Sequence, residues 1–395
     1  MWSASIRWLL LLLSFWLLPA LSSCAHQKFV SESYPRWGEE QQIDAITEDA
    51  PLIVRTLFPE KPEEASACVL LVHGMNEHIG RYAQVARYFA TQFIVFGFDQ
   101  YAHGLSNPVL HRADRALLAG AGAQDVGDAY LAQAALYDLE PLRHTLDRVL
   151  QQLLTLCDAK QPIFIVAHSL GGLVAASYLL QTRQRQDLMA RIGGIVFLAP
   201  AFAVSEPPGW QGWIANPVIK MSFHAETRFL YPQDESLPAM VLNQLFSLLT
   251  VPLFDSVFEI LSWPGLRNLF TPGSPAWVVE YLTDSEAERA RVRADHWIVR
   301  RSLLRYVKGI EQEIISFRHR MKNFTLPYLL VYSEYDPITP SWGNKDFTQL
   351  TFRHHPDNEV MAFPHLPYHQ HLFLSEPIRT EVLRKAADWM KRRLK

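Results

Sequence analysis

Short apolar, β-branched runs alternate with amphipathic stretches along most of this chain. Residues 52–58, 68–72, 93–99, 162–167, 194–200, 328–332 and 360–363 read as strands. Between them, residues 81–90 carry Val85, Ala86 and Phe89 on one face, and residues 142–156 carry Leu146, Val149, Leu150 and Leu153. Residues 173–180 read as a helix, and residues 377–394 close the chain with Val382, Leu383, Ala386, Trp389 and Met390 inward. Strands alternating with helices imply a mostly parallel sheet covered on both faces, with reactive groups collected at the carboxyl ends of the strands. His73-Gly74, Asp99, Ser169 and Asp336 all stand at such ends.

The alternation stops between residue 203 and about residue 317. This stretch is rich in proline and holds Trp210, Trp213, Trp263, Trp277 and Trp297, five of the 11 tryptophans. It reads as a helical cap, with an apolar pocket or a lipid interface as the use of its aromatic rings; a helical subdomain that only packs on the core is the plainer reading. Length and composition change little: 395 residues, 49% hydrophobic, fit one large α/β domain with an insertion. A net charge of -3 offers no footprint for nucleic acid.

The first residues follow another pattern. Arg7 precedes an apolar run from Trp8 to Leu18 and then Leu21-Ser22-Ser23-Cys24, the order of a secretory signal rather than of a spanning helix. Leu21-Ser22-Ser23-Cys24 resembles the lipobox of bacterial lipoproteins. That resemblance implies cleavage before Cys24, lipidation of its sulfur and, with Ala25 rather than Asp next, sorting to the outer membrane of a Gram-negative cell, facing the periplasm. An ordinary signal or an uncleaved anchor with a chance cysteine is the alternative. The remaining cysteines, Cys68 and Cys157, show no metal-ligand spacing with histidine, and buried thiols are the expectation.

Candidate chemistry centres on Ala167-His168-Ser169-Leu170-Gly171-Gly172. A buried strand, a sharp turn with serine at its apex and a helix make the arrangement that exposes a nucleophile. Ala167 and Gly171 are the small neighbours such a turn needs, although a plain helix N-cap would also place serine there. A serine hydroxyl requires a base and a group to orient it. Downstream, Asp336 is the candidate acid, with Glu334 a rival and a turn-forming role before Pro337 the bland alternative. His365, His369 and His371 follow the last strand, and any of them could serve as base or merely lie on the surface. Oxyanion donors are expected from the backbone N–H of Leu170 and from the loop that begins His73-Gly74.

Longer motifs carry a family resemblance. His73-Gly74-Met75-Asn76-Glu77-His78-Ile79-Gly80-Arg81-Tyr82 resembles a signature of the monoacylglycerol lipase and lysophospholipase group of α/β-hydrolases. Asp99-Gln100-Tyr101-Ala102-His103-Gly104-Leu105-Ser106 matches a second motif of the group, with Ala102 at a family glycine. The Ser169 motif matches a third, and Leu282-Thr283-Asp284 and Asp295-His296-Trp297 resemble its cap-end motifs. The resemblance implies an α/β-hydrolase fold with Ser169 as nucleophile, Asp336 as orienting acid and the N–H groups of Met75 and Leu170 as oxyanion hole. It implies no cofactor and no metal. A family spacing of five residues between the base and a following Glu, here Glu376, points to His371. Family strand order also places Cys68 and Cys157 at the end of the sheet away from Ser169, where a disulfide is permitted if the protein is exported.

The expected organisation is a signal peptide over 1–23, a tether with an early strand region over 24–50, a hydrolase core over 51–202 and 318–395, and a helical cap over 203–317. The expected activity is that of a membrane-tethered serine ester hydrolase acting on monoacylglycerol, lysophospholipid or similar single-chain lipid esters. A non-catalytic lipoprotein that binds lipids or partners on the same fold is the alternative. The sequence leaves acyl length, head group and oligomeric state open.

Overall fold

A computed structural model describes residues 28–29, 36–47, 50–122, 124–126, 138–231, 276–299 and 302–394, with single positions between 241 and 260. Eight strands form one sheet: β1 (Glu39–Thr47), β2 (Ala50–Leu57), β3 (Cys68–Val72), β4 (Ile94–Phe98), β5 (Ile163–His168), β6 (Ile192–Leu198), β7 (Tyr328–Ser333) and β8 (Glu359–Phe363). Their spatial order is β8-β7-β6-β5-β3-β4-β2-β1. β1 and β2 pair antiparallel, as do β2 and β4, and every other pair is parallel. Chain order and spatial order part company around β3, so the loops after β3, β4 and β5 open at the same edge, which is where such sheets bind ligands.

The central strands are apolar along most of their length because both faces are covered. Cys68, Leu70 and Val72 of β3 point into one core with Ile163, Ile165 and Ala167 of β5, roofed by the helices Glu140–Leu156, Leu170–Gln181 and Leu304–Arg320. Val69 and Leu71, with Phe164 and Val166, point into the other, against Ala83–Phe89 and Ile378–Arg392. Leu146, Val149, Leu150 and Leu153 sit fully buried on one face of their helix. Each such side chain contributes about 1.5–3 kcal/mol of apolar transfer.

Two boundaries and one cysteine pairing differ from the sequence reading. Residues 39–47, read as part of a tether and early strand region, form the outer strand, antiparallel to β2. The core also resumes before residue 318: Ile314, Ile315 and Phe317 of Leu304–Arg320 belong to the main hydrophobic cluster. Cys68 and Cys157 are joined in a disulfide, with Cα atoms 6.4 Å apart, rather than remaining buried thiols. The bond lies at the end of the sheet where β3 starts, opposite the Ser169 end, since Cys68 is in register with Ile163 and Val72 with Ala167.

The described part of the insertion includes the helix Gly209–Leu230, which leaves Trp210 and Trp213 68% and 82% exposed. Trp297, by contrast, is buried beside His78. Trp213 therefore faces solvent rather than lining an enclosed acyl site. Trp263 and Cys24 lie outside the described residues. No helix among the described residues is long and apolar enough to cross a membrane.

Candidate active site

Ser169 stands between β5 and the helix Leu170–Gln181 with φ of +51°, a left-handed conformation that is strained for any residue bearing a Cβ. Its side chain makes no capping hydrogen bond, which removes the helix N-cap as the reason for a serine here. The backbone holds the turn: Ser169 N–H donates to Leu198 O at 3.0 Å, and Ser169 O accepts from Ala201 N–H at 3.0 Å. Gly171 is demanded by close approach, since a Cβ there would stand 2.3 Å from His73 O.

The loop after β3 meets the serine from the other side. A Cβ on Gly74 would lie 3.0 Å from Ser169 Cβ, so this loop passes directly over the nucleophile position. Among the described residues the N–H groups of Met75 and Leu170 have no protein acceptor. Leu170 is also the first residue of its helix, where the dipole favours negative charge. His73 braces the loop. Burial pushes its imidazole down to about 3, so the ring is neutral. With the proton on Nδ1 it donates to Gly74 O at 2.8 Å, while Nε2 accepts from Gln100 N–H at 2.9 Å.

The histidine beside Asp336 differs from the expectation. His369 Nδ1 lies 2.6 Å from Asp336 Oδ2, and both side chains are buried. His371 is instead the first residue of the short helix His371–Leu374, with Nδ1 3.2 Å from Asp284 Oδ1. The expected partner of Asp336, His371, is corrected to His369. The cause is the path of the loop after β8. Tyr335 N–H donates to Leu366 O at 3.2 Å and Ser333 Oγ to Tyr368 O at 2.9 Å, which draws residue 369 against the loop carrying Asp336. Helix formation then turns residue 371 toward the cap segment. His365 is exposed.

Asp336 is both a turn former and a histidine partner. Oδ1 accepts from Ile338 and Thr339 N–H at 2.8 and 3.2 Å, and Oδ2 accepts from Thr339 Oγ and His369. Burial alone would raise this carboxyl, but His369 and Thr339 hold it below its ordinary range, so it is ionised. An ionised Asp336 fixes the His369 proton on Nδ1 and leaves Nε2 as the basic nitrogen. Glu334, the rival acid, pairs with Lys345 instead. The His369 ring packs on His168, the residue before Ser169, with centroids 4.6 Å apart. Among the described residues Ser169 and His369 share no hydrogen bond, a gap usual in unliganded serine hydrolases.

Comparison with known proteins follows the same lines. The family model described as "Serine aminopeptidase, S33" matches residues 63–373. A curated relative, an uncharacterized abhydrolase domain-containing protein of Dictyostelium discoideum, is 31% identical over 134 residues, and the match spans 33% of this chain but 11% of that protein's length. Among solved structures, a monoglyceride lipase from Saccharomyces cerevisiae superposes with a TM-score of 0.61 at 15% identity, covering 92% of this chain and 97% of that one. A monoacylglycerol lipase from Paleococcus ferrophilus gives 0.54 at 18% identity, over 87% and 99%. A carboxyl esterase from Bacillus coagulans gives 0.56 at 16%, over 90% and 99%. At these identities the superpositions establish a shared fold.

Proposed function

The chain belongs to the serine aminopeptidase, S33, family of α/β-hydrolases, and on that premise we propose that it is a serine ester hydrolase acting on single-chain lipid esters such as monoacylglycerols or lysophospholipids. The observation that carries the reading is the 2.6 Å contact between His369 and Asp336, both reached in the order Ser, Asp, His from a strained serine turn. Ser169 Oγ attacks the ester carbonyl as its proton passes to His369 Nε2. The carbonyl oxygen takes the negative charge and accepts hydrogen bonds from Met75 and Leu170 N–H. Collapse breaks the bond to the alcohol, which leaves with the proton from His369. Water, deprotonated by the same nitrogen, then releases the acid and restores Ser169.

The lipid class rests on the resemblance of the first signature and on exposed Trp210 and Trp213, rings suited to a membrane interface. Tethering through Cys24 to the outer membrane of a Gram-negative cell rests on the lipobox pattern, and the Cys68–Cys157 disulfide fits an exported protein. The test is a panel of monoacylglycerols, lysophospholipids, short nitrophenyl esters and aminoacyl arylamides. Faster turnover of long-chain monoesters than of arylamides supports the proposal. Arylamide cleavage without lipid ester cleavage would replace it with a peptidase, and inertness toward all four would favour a binding protein.

A further inference from the structure

One buried carboxylate touches all three loops of the site. Glu77 Oε1 accepts from Gly74 N–H at 2.6 Å, from Tyr82 OH at 2.9 Å and from His168 Nδ1 at 2.8 Å. Glu77 Oε2 accepts from Arg81 at 2.7 Å and from the Gln370 side-chain amide at 3.1 Å. Arg81 closes the ring by donating to Gln370 Oε1 at 2.6 Å. Gly74 precedes the oxyanion donor Met75, His168 precedes Ser169, and Gln370 follows His369. These three contacts are therefore each made one residue away from a member of the machinery.

We propose that Glu77 is a positioning residue that sets the oxyanion loop, the nucleophile turn and the base loop in one register, with Gln370 as its arm to the base. The inference rests on the reading of Ser169, His369 and Asp336 as a triad. The chemistry suits the task. Burial alone would raise the Glu77 carboxyl, but His168 and Arg81 hold it well below its ordinary range, so it stays an acceptor for five donors. Arg81 balances its charge, which leaves the cluster neutral overall and tolerable in the interior. Displacement of a reacting group by about 1 Å lowers rates by as much as a hundredfold, so register is worth this much polar burial.

The experiment is a double-mutant cycle on the intact protein with a soluble nitrophenyl ester. Gln370→Leu cuts only the arm to the base loop and leaves Glu77 paired with Arg81. It should lower kcat about tenfold with KM within twofold, and Glu77→Gln should lower kcat about a hundredfold. Where Glu77→Gln fails to fold, Gln370→Leu and Tyr82→Phe carry the test. In a His369→Ala background, Gln370→Leu should bring no further loss in the rate of fluorophosphonate labelling, because its effect runs through that ring. An unchanged kcat in Gln370→Leu, or an equal loss with and without His369, overturns the proposal. Full activity in Ser169→Ala or His369→Ala would instead sink the triad, a separate result.

Discussion

At the scale of single residues, the choice of histidine is the sharpest consequence of the geometry. His369→Ala should lower kcat at least a thousandfold, and His371→Ala should stay within a few-fold, as read by steady-state kinetics on a short ester. A larger loss in His371→Ala would restore the residue that spacing from Glu376 favoured. That spacing misled because it counts residues through a helix start, whereas reach to Asp336 depends on side-chain and backbone anchors such as Ser333 Oγ to Tyr368 O. No local sequence signal separates two histidines two residues apart. The turns that carry Ser169 and Asp336 were legible, since a strand, a tight turn and a helix, or a strand and a turn before proline, announce themselves in residue types. A second residue-scale consequence concerns Ala102, buried with φ of +62°. Left-handed geometry costs a residue with a Cβ about 1–2 kcal/mol, partly offset by the extra freedom glycine brings to the unfolded chain. Ala102→Gly should therefore stabilise the fold by up to about 1 kcal/mol in urea denaturation, and a loss of stability would show that the strain is compensated locally.

At the scale of elements, β3 and the helix Glu140–Leu156 are tied by the Cys68–Cys157 disulfide across 89 residues of chain. Closing so long a loop in the unfolded state stabilises a protein by about 2–4 kcal/mol in typical cases. Reduction, or Cys157→Ser, should lower stability by that order while leaving kcat per folded molecule unchanged, because the bond sits at the opposite end of the sheet from Ser169. A fall in kcat matching the fall in stability would mean that the sheet transmits strain to the site. The bond itself was not legible as a bond. Two cysteines far apart in sequence become neighbours only through the pairing of β3 with β5, which is a long-range fact. The strands and helices around them were legible because uninterrupted apolar runs and 3.6-residue stripes are local. Strand β1 was legible only as an early strand region, since its polar residues do not mark its bounds until β2 is placed beside it.

At the scale of the whole molecule, the site is surrounded by buried neutral imidazoles, and this makes the fold sensitive to acid. His73 and His103 titrate near 3 and 4 in the folded protein, pushed down by burial, against 6.5 for the free group. Below pH 6.5 the unfolded chain binds protons that the folded chain refuses, so stability is full above that pH and falls as pH drops toward 4. Each such proton contributes a slope of about 1.4 kcal/mol per pH unit inside the window. Unfolding midpoints in urea should fall between pH 7 and pH 5, and His103→Gln should flatten the dependence; a flat wild-type profile would contradict the assigned neutral rings. The exposed tryptophans act at this scale too. Replacing Trp210 and Trp213 by serine should weaken binding to phospholipid vesicles and slow turnover of vesicle-borne monoesters severalfold, with short soluble esters unaffected.

The most direct measurement is covalent. A fluorophosphonate reacts with a serine only where a base and an oxyanion hole activate it. Intact mass and peptide mapping should show one adduct, on Ser169, formed rapidly in the native protein and in His371→Ala, slowed about a thousandfold but still measurable in His369→Ala, and absent in Ser169→Ala. An adduct on another serine, or undiminished labelling without His369, would contradict a Ser169–His369–Asp336 hydrolase.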